Sequence, residues 1–201
     1  TGSNELWAWN PASEPAPHRL GCIPGSGRGI TRAPDGRLFI IGDADIIFDP
    51  TSLAMTEIKP IIMPQIQPPE NGFYFFNDAA WDSANNVLLI LSQNYSNGTG
   101  SIVRFNPATN VAQRIVTRSD LAYHYDIIVD TQGRPVVPDG EDVIRFDLTQ
   151  PLPLPSTSGA RILIPVPAYG FSLGTPDFTS AASVVACDTG ATTPDGSALE
   201  R

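Results

Sequence analysis

A short phrase that occurs four times along the chain restricts the possible folds more than any other feature. It is an apolar run that ends in an aromatic residue, followed by Asn or Asp, usually Pro, and then small or hydroxylated residues. The copies are residues 6–13, 46–52, 102–109 and 143–150. Asn and Asp accept hydrogen bonds from the backbone just ahead, and Pro presets φ at the next turn position. The phrase therefore predicts a strand that runs into a tight turn.

A second pattern precedes three of these copies: a strand, a polar turn and a very apolar strand. These stretches are 30–41, 78–91 and 126–137. Asp-Gly and Asn-Asn at the bend tolerate φ above zero, which is typical of hairpins. A further strand follows each copy of the phrase. The chain thus repeats a unit of four strands, which we label A to D, at about 28–62, 76–117 and 124–166.

Repeats of about 40 residues with four short strands are typical of β-propeller blades. Neighbouring blades must cover both faces of each blade, so the ring has to close. Residues 5–22 contain a C and a D strand, and residues 168–187 contain an A and a B strand. We therefore predict an all-β, four-bladed propeller whose last blade joins both termini, in one domain over 1–190 with a polar tail at 191–201. The alternative is a fragment of a larger propeller.

Two cysteines, Cys22 and Cys187, follow strands D and B of this composite blade, on the same face. We expect a disulfide between them, since closing a loop this long contributes roughly 4–5 kcal/mol in the chain-entropy model. Two unrelated buried thiols are the alternative. The glycosylation sequons at Asn94 and Asn97 fit the same secreted, extracellular or periplasmic setting. The chain begins at Thr1, for which a removed signal peptide is one explanation and a sequence boundary another.

The net charge of −9 and the pI of about 4.5 argue against some partners. An acidic surface repels nucleic acid and anionic lipid. No apolar stretch approaches the roughly 20 residues that span a bilayer, so we do not expect membrane insertion. The expected partners are the protein itself or other extracellular proteins and glycans.

Strand A lines the channel of a propeller, and aligning the bends places four residues at one blade position: Gly29, Asp78, Asp126 and Gly174. Asp78 and Asp126 could bind a cation such as Ca²⁺ or Mg²⁺, or share a proton. The structural alternative is that each carboxylate accepts backbone N–H groups of the next blade. Acidic turns at 43–45 and 139–142 carry oxygen ligands suited to calcium, but neither has the length of an EF-hand loop, so we interpret them as solvated hairpin turns.

His124 precedes strand A of the third unit, between Tyr123 and Tyr125. A base between two aromatic residues could form a sugar or small-molecule pocket, whereas a histidine in a loop is often polar surface alone. Two Pro-rich stretches, 60–71 and 151–159, are expected to be extended. The apolar residues of the first stretch would either form a strip for a partner or cover the side of the ring.

The pattern Asp126–Asp130, Gly133, Val143–Asp147 resembles blades of NHL-type propellers and of the related streptogramin-lyase and gluconolactonase types. The resemblance implies a propeller, although those families usually have more blades. Their members include enzymes with a metal in the central channel and many non-enzymatic binding modules. The lyase-like members use a His and metal-binding carboxylates, for which this chain shows no residue-by-residue match.

These observations favour a secreted, non-enzymatic propeller that acts as a binding or structural module. It could assemble with copies of itself into an extracellular filament or surface assembly. The alternative function is a small metal-dependent lyase or lactonase with its site in the propeller channel.

Overall fold

The computed structural model describes residues 3–10, 12–25, 27–66, 74–139 and 142–163, and these ranges form antiparallel β-sheet. A two-stranded hairpin comes first, with β1 (Ser3–Ala8) and β2 (His18–Pro24). Sheet 1 follows, with β3 (Gly27–Arg32), β4 (Leu38–Gly42), β5 (Ile46–Phe48) and β6 (Met55–Glu57).

Sheet 2 contains the longest strands: β7 (Tyr74–Asp82), β8 (Val87–Asn94), β9 (Thr99–Asn106) and β10 (Val111–Arg118). Sheet 3 contains β11 (Ile128–Val129), β12 (Pro135–Asp139), β13 (Asp142–Arg145) and β14 (Ala160–Leu163). In each of these sheets the strands lie side by side in chain order. The three predicted units of four antiparallel strands are therefore confirmed.

The repeated phrase forms the turn that its chemistry predicts. In all four copies the side-chain oxygen of Asn or Asp accepts the backbone N–H two residues further on, at 2.9–3.1 Å. These acceptors are Asn10, Asp49, Asn106 and Asp147. The connections between strands A and B use the same device at Asp35, Asp82 and Asp130. The turns at this end of the sheets are thus satisfied locally.

Sheet 2 is buried on both faces, which accounts for the unbroken apolar run in β8. Leu88 and Ile90 belong to a core shared with sheet 1, whereas Leu89 and Leu91 belong to a core shared with sheet 3. Successive strand residues point to opposite faces, so one strand supplies both cores. The hairpin packs on the other face of sheet 1, where Leu6 contributes to a third core. The order of packing is therefore hairpin, sheet 1, sheet 2, sheet 3.

The first Pro-rich stretch is not extended where the structure describes it. Residues Lys59–Ile62 form a short helix, α1, and a single 3₁₀ turn follows at Met63–Gln65. Proline is tolerated at the start of a helix. Ile62 and Ile66 are buried between sheets 1 and 2, with Ile61 and Met63 packed against them. The prediction of an extended segment was wrong here, and these residues cover the core instead of forming an exposed strip.

Several predictions fall on parts of the chain outside the described residues: the A and B strands of the composite blade at 168–187, Cys187, Gly174 and the polar tail. The predicted C and D strands of that blade correspond to the hairpin of β1 and β2. Among the described residues, no helix has the length and apolar character needed to cross a bilayer.

Candidate functional site

The two ends of the sheets differ in chemistry. One end carries the Asn and Asp turns, and we call the opposite end the top face. It comprises the starts of β3, β7 and β11 and the turns between strands B and C. The register places these features together, since Gly27 pairs with Gly42 and Tyr74 pairs with Asn94. Asp78, His124, Tyr125 and Asp126 all lie toward the top face, where the sequence predicted a site.

The predicted alignment of Gly29, Asp78 and Asp126 agrees with the register of the described strands. Each of them lies four positions before the residue that opens the A–B turn: Ala33, Asp82 and Asp130. In both β3 and β7 the register shifts immediately before the aligned residue, between Gly27 and Gly29 and between Phe76 and Asp78. Such bulges re-aim the side chains that follow them.

Asp78 connects the A strands of all three sheets. Its Oδ2 accepts the N–H of Ile127 at 2.9 Å, beside sheet 3. On the other side it lies against Gly29 of sheet 1, where a Cβ atom would come within 2.0 Å of Asp78 Oδ1. Burial raises the pKa of Asp78 to about 7, opposed by the N–H groups of Ile127 and Ala79. This geometry favours the structural alternative, in which the carboxylate serves the backbone of the next sheet.

Asp126 is exposed, and desolvation raises its pKa. Its charge adds to the upward shift of the Asp78 pKa, so the two carboxyl groups sense each other. Across the described residues, no three His, Cys, Asp or Glu side chains are placed to hold a metal ion. A cation site at Asp78 and Asp126 stays a prediction.

His124 faces inward, in contrast to the two tyrosines that flank it. Its side chain is 16% exposed, and Nε2 lies 3.6 Å from Asp139 Oδ1. Asp139 in turn pairs with Arg161, which also contacts Asp120. The backbone oxygen of His124 accepts Asn77 Nδ2 at 2.8 Å. His124 is therefore tied to its neighbours, and Tyr123 and Tyr125 form the accessible part of the predicted pocket.

The aromatic group at the top face is larger than the sequence suggested. Tyr95, Tyr123 and Tyr125, which we call the tyrosine rim, are 43%, 63% and 53% exposed. The ring centroid of Tyr95 lies 6.4 Å from that of Tyr123 and 5.3 Å from that of Phe75, both edge to face. Partial burial and a hydrogen bond with Tyr95 raise the pKa of Tyr125. The guanidinium carbon of Arg28, in sheet 1, lies 6.0 Å from the Phe75 centroid.

Three polar residues lie next to the rim: Asn77 and Gln93 are buried, and His124 is partly buried. Asn77 Nδ2 donates to Gln93 Oε1 at 3.2 Å as well as to the His124 backbone. Among the described residues, Asn77 Oδ1, Gln93 Nε2 and His124 Nε2 have no hydrogen-bond partner. The sequence offered one usable signal for this arrangement, since Tyr95 occupies the predicted B–C turn of the second unit. Its contact with Tyr123 depends on packing between sheets.

The acidic turn at 43–45 is folded on itself. Asp45 is buried, its Oδ1 accepts the Gly42 N–H at 3.1 Å, and Lys59 Nζ lies 4.0 Å from Oδ2. Burial raises the pKa of Asp45 to about 6, with the Gly42 N–H and the Lys59 charge opposing the shift. The expectation of a fully solvated turn was therefore wrong for Asp45, since the Gly42 N–H holds its side chain in the interior.

The two sequons differ in access. Asn94 is 1% exposed and its Oδ1 accepts the Ser96 N–H, whereas Asn97 is exposed in the turn. Only an exposed side chain can be modified in the folded protein, so the geometry favours Asn97.

Cys22 lies opposite Glu5 in the hairpin, and Arg19 Nη2 is 2.7 Å from its Sγ.

No protein-family model matches the chain, and no curated protein does. Similar solved structures include a nidogen/laminin complex, with 16% identity and a TM-score of 0.47 over 67% of this chain and 48% of that one. Another is an oligogalacturonate lyase in complex with manganese, with 10% identity and a TM-score of 0.49 over 65% and 36%. A third is TolB from Acinetobacter baumannii, with 11% identity and a TM-score of 0.47 over 74% and 39%. The match spans less than half of each of these chains, and all three TM-scores are below 0.5.

Proposed function

We propose that the chain is a four-bladed β-propeller in which the hairpin and residues 168–187 complete one blade. Two observations support this proposal. Within the described part of the chain the hairpin has two strands, yet it packs on sheet 1 as a blade would. At the other end of the stack, Val137 and Ile144 of sheet 3 point into the core shared with sheet 2. Their strand neighbours Val136 and Val143 point to the opposite face of sheet 3, and these two valines are also buried. The face of sheet 3 that points away from sheet 2 is therefore covered at Val136 and Val143, as ring closure requires, whereas Ile162 opposite Val143 is 36% exposed.

The proposed function is that of a secreted, non-enzymatic binding module whose binding surface is the top face. The observation that carries it is the tyrosine rim, in which the β8–β9 turn of sheet 2 meets the segment that connects sheets 2 and 3, and which Arg28 extends onto sheet 1. Exposed aromatic residues with polar tips are typical of recognition surfaces. The partners are copies of the protein itself, other extracellular proteins or glycans, with no role for nucleic acid or membrane insertion.

A channel enzyme is the less favoured function because of how Asp78 is used. A metal-dependent lyase or lactonase would need this carboxylate free to bind a cation. Its Oδ2 accepts the Ile127 N–H and its Oδ1 lies against Gly29. The proposal also includes secretion, a disulfide between Cys22 and Cys187, and a glycan at Asn97. These parts rest on the sequence, and the exposure of Asn97 supports the glycan.

The test compares the two ends of the molecule. Tyr123→Ser combined with Tyr125→Ser alters the top face, and Val111→Ser, an exposed apolar residue beside the C–D turn of sheet 2, is the matched control. Self-association by analytical ultracentrifugation and binding to a panel of extracellular proteins and glycans are measured for both. We expect the top-face variant alone to lose the interaction. Metal-dependent cleavage of a polysaccharide or a lactone, abolished by Asp78→Asn, would overturn the proposal.

A further inference from the structure

We infer that the tyrosine rim is a carbohydrate-binding platform that takes a neutral oligosaccharide. This inference rests on the proposed binding function and names its ligand class. It follows from four features of the top face: the shape of the aromatic group, the backbone of Tyr123, the buried polar atoms next to the rim and the charges beside it.

The rim offers ring faces and hydroxyl groups in the same small area. Tyr95 stands nearly perpendicular to Phe75, at 84°, and steeply inclined to Tyr123, at 71°. The rings therefore form a corner, not a flat sheet. A sugar ring has an apolar C–H face bounded by hydroxyl groups, and tyrosine has an apolar face with a polar tip. One sugar ring can lie on a tyrosine face while its hydroxyls reach the other tyrosines.

Tyr123 is held in a backbone conformation that tyrosine rarely adopts. Its φ of 72° lies in the left-handed region, which is an outlier for a bulky residue. The preceding turn fixes it, since the Ala122 N–H binds Ser119 O and the His124 N–H lies 3.4 Å from Leu121 O. In this conformation Tyr123 is 63% exposed. A strained residue whose side chain gains little packing within the chain points to a contact with a ligand.

The polar atoms next to the rim match a hydroxyl-rich ligand or the waters that accompany one. Asn77 Oδ1 is an acceptor and Gln93 Nε2 is a donor, and both are buried without a partner among the described residues. Asn77 binds the backbone of His124, between Tyr123 and Tyr125, and Gln93 is two residues from Tyr95. Neither atom is accessible to solvent, so a ligand hydroxyl would serve it through one bridging water, which both donates and accepts.

The charges at the rim favour a neutral ligand. Lys59 Nζ lies 5.4 Å from the Phe75 centroid and is paired with Asp45 Oδ2 at 4.0 Å. Arg28 and Asp126 are both exposed, and they place one further positive and one further negative group beside the tyrosines. Opposite charges give no net preference for an ionic ligand, and both groups can hydrogen-bond to hydroxyls. The net charge of −9 opposes the approach of an acidic polysaccharide.

The experiment measures binding of the full chain to an array of neutral tetra- to hexasaccharides, with oligogalacturonates as the acidic set, followed by isothermal titration of the hits. We expect a neutral oligosaccharide to bind with little dependence on salt. Tyr123→Ala should weaken that binding by about tenfold or more. Tyr123→Phe keeps the ring and should weaken it less, and Val111→Ala should leave it unchanged. Thermal melting of each variant verifies that it is folded.

Three outcomes would overturn the inference: no neutral oligosaccharide binds at about 10 mM, only the acidic set binds, or binding survives Tyr123→Ala in a folded variant. These outcomes separate the inference from the proposed function. If sugars fail but a protein partner or self-association still depends on Tyr123 and Tyr125, the binding function stands and the carbohydrate assignment is wrong. If no interaction depends on these tyrosines, both fail.

Discussion

Replacing Asp78 with Asn should flatten the dependence of stability on pH. Burial raises the pKa of Asp78 from 3.8 to about 7, so the folded chain holds this proton more tightly than the unfolded chain does. The contribution of the group to stability is therefore complete below pH 3.8 and is lost as the pH rises through about 7. Linkage with these two pKa values gives a loss of about 2.5 kcal/mol between pH 5 and pH 8, as an order of magnitude.

The assay is urea unfolding of the wild type and of Asp78→Asn at pH 5 and pH 8. Asn keeps an oxygen that can accept the Ile127 N–H, so the variant removes the titration and retains the contact. Asp45 shifts in the same direction, to about 6, and contributes to the slope of both proteins. The difference between the two proteins isolates Asp78. Asp147→Asn is the matched control, because Asp147 is exposed and hydrogen bonds from Thr149 lower its pKa, so it stays ionised between pH 5 and pH 8.

Two results would refute this reasoning. The first is a pH dependence that is the same in the folded Asp78→Asn variant as in the wild type. The second is a carboxyl carbon resonance of Asp78 that titrates near the ordinary value of 3.8 in the folded protein. Either result would mean that the Asp78 carboxyl is solvated and does not link the three A strands.

Further predictions concern packing and modification. Gly29→Ala should destabilise the fold by about 1–3 kcal/mol, because its Cβ would meet Asp78 Oδ1 at 2.0 Å; denaturant unfolding measures this. Leu89→Ala should cost about 2–5 kcal/mol in the same assay, since Leu89 lies in the core between sheets 2 and 3. In a secretory host, Asn97→Gln should lower the glycan mass measured by mass spectrometry, whereas Asn94→Gln should leave it unchanged, because Asn97 is exposed and Asn94 is buried.

Each of these predictions would be contradicted by one specific result. A Gly29→Ala cost that is unchanged when Asp78 is also replaced by Ala would show that the two residues are not in contact. A Leu89→Ala cost as small as that of the exposed Val111→Ala would contradict packing on both faces of sheet 2. Glycan found on Asn94 would mean that modification precedes folding of β8.

The parts of the fold that local chemistry determines could be predicted from the sequence. The Asn and Asp turns depend on hydrogen bonds within a few residues, and the strands on either side follow from apolar patterning. Residues 59–65 could not be predicted in this way, because proline and isoleucine suit an extended segment as well as a short helix. There the outcome depends on Ile58, Ile62 and Ile66, which recur every four residues and reach one core.

The candidate site, like the fold, could be predicted from the sequence only in part. Aligning the predicted A–B turns placed Asp78 at the position equivalent to Gly29 and Asp126, because the strands have the same register in each repeat unit. The partners of its two oxygens, Gly29 and Ile127, follow from how the sheets pack. Likewise, Tyr123 and Tyr125 could be identified beside His124, but Tyr95 joins them from the β8–β9 turn, which is distant in sequence. Contacts between sheets depend on packing distances and angles that repeat patterns do not specify.

We propose above all that the hairpin and residues 168–187 complete one blade and close the ring. The most direct measurement is the rate at which Cys22 and Cys187 form an intramolecular disulfide in the reduced full chain, followed by non-reducing peptide mass mapping. Closure of the ring predicts that the bond forms much faster in native buffer than in urea, where the two thiols meet only by diffusion of the chain. A native rate below the rate of the unfolded chain would contradict ring closure.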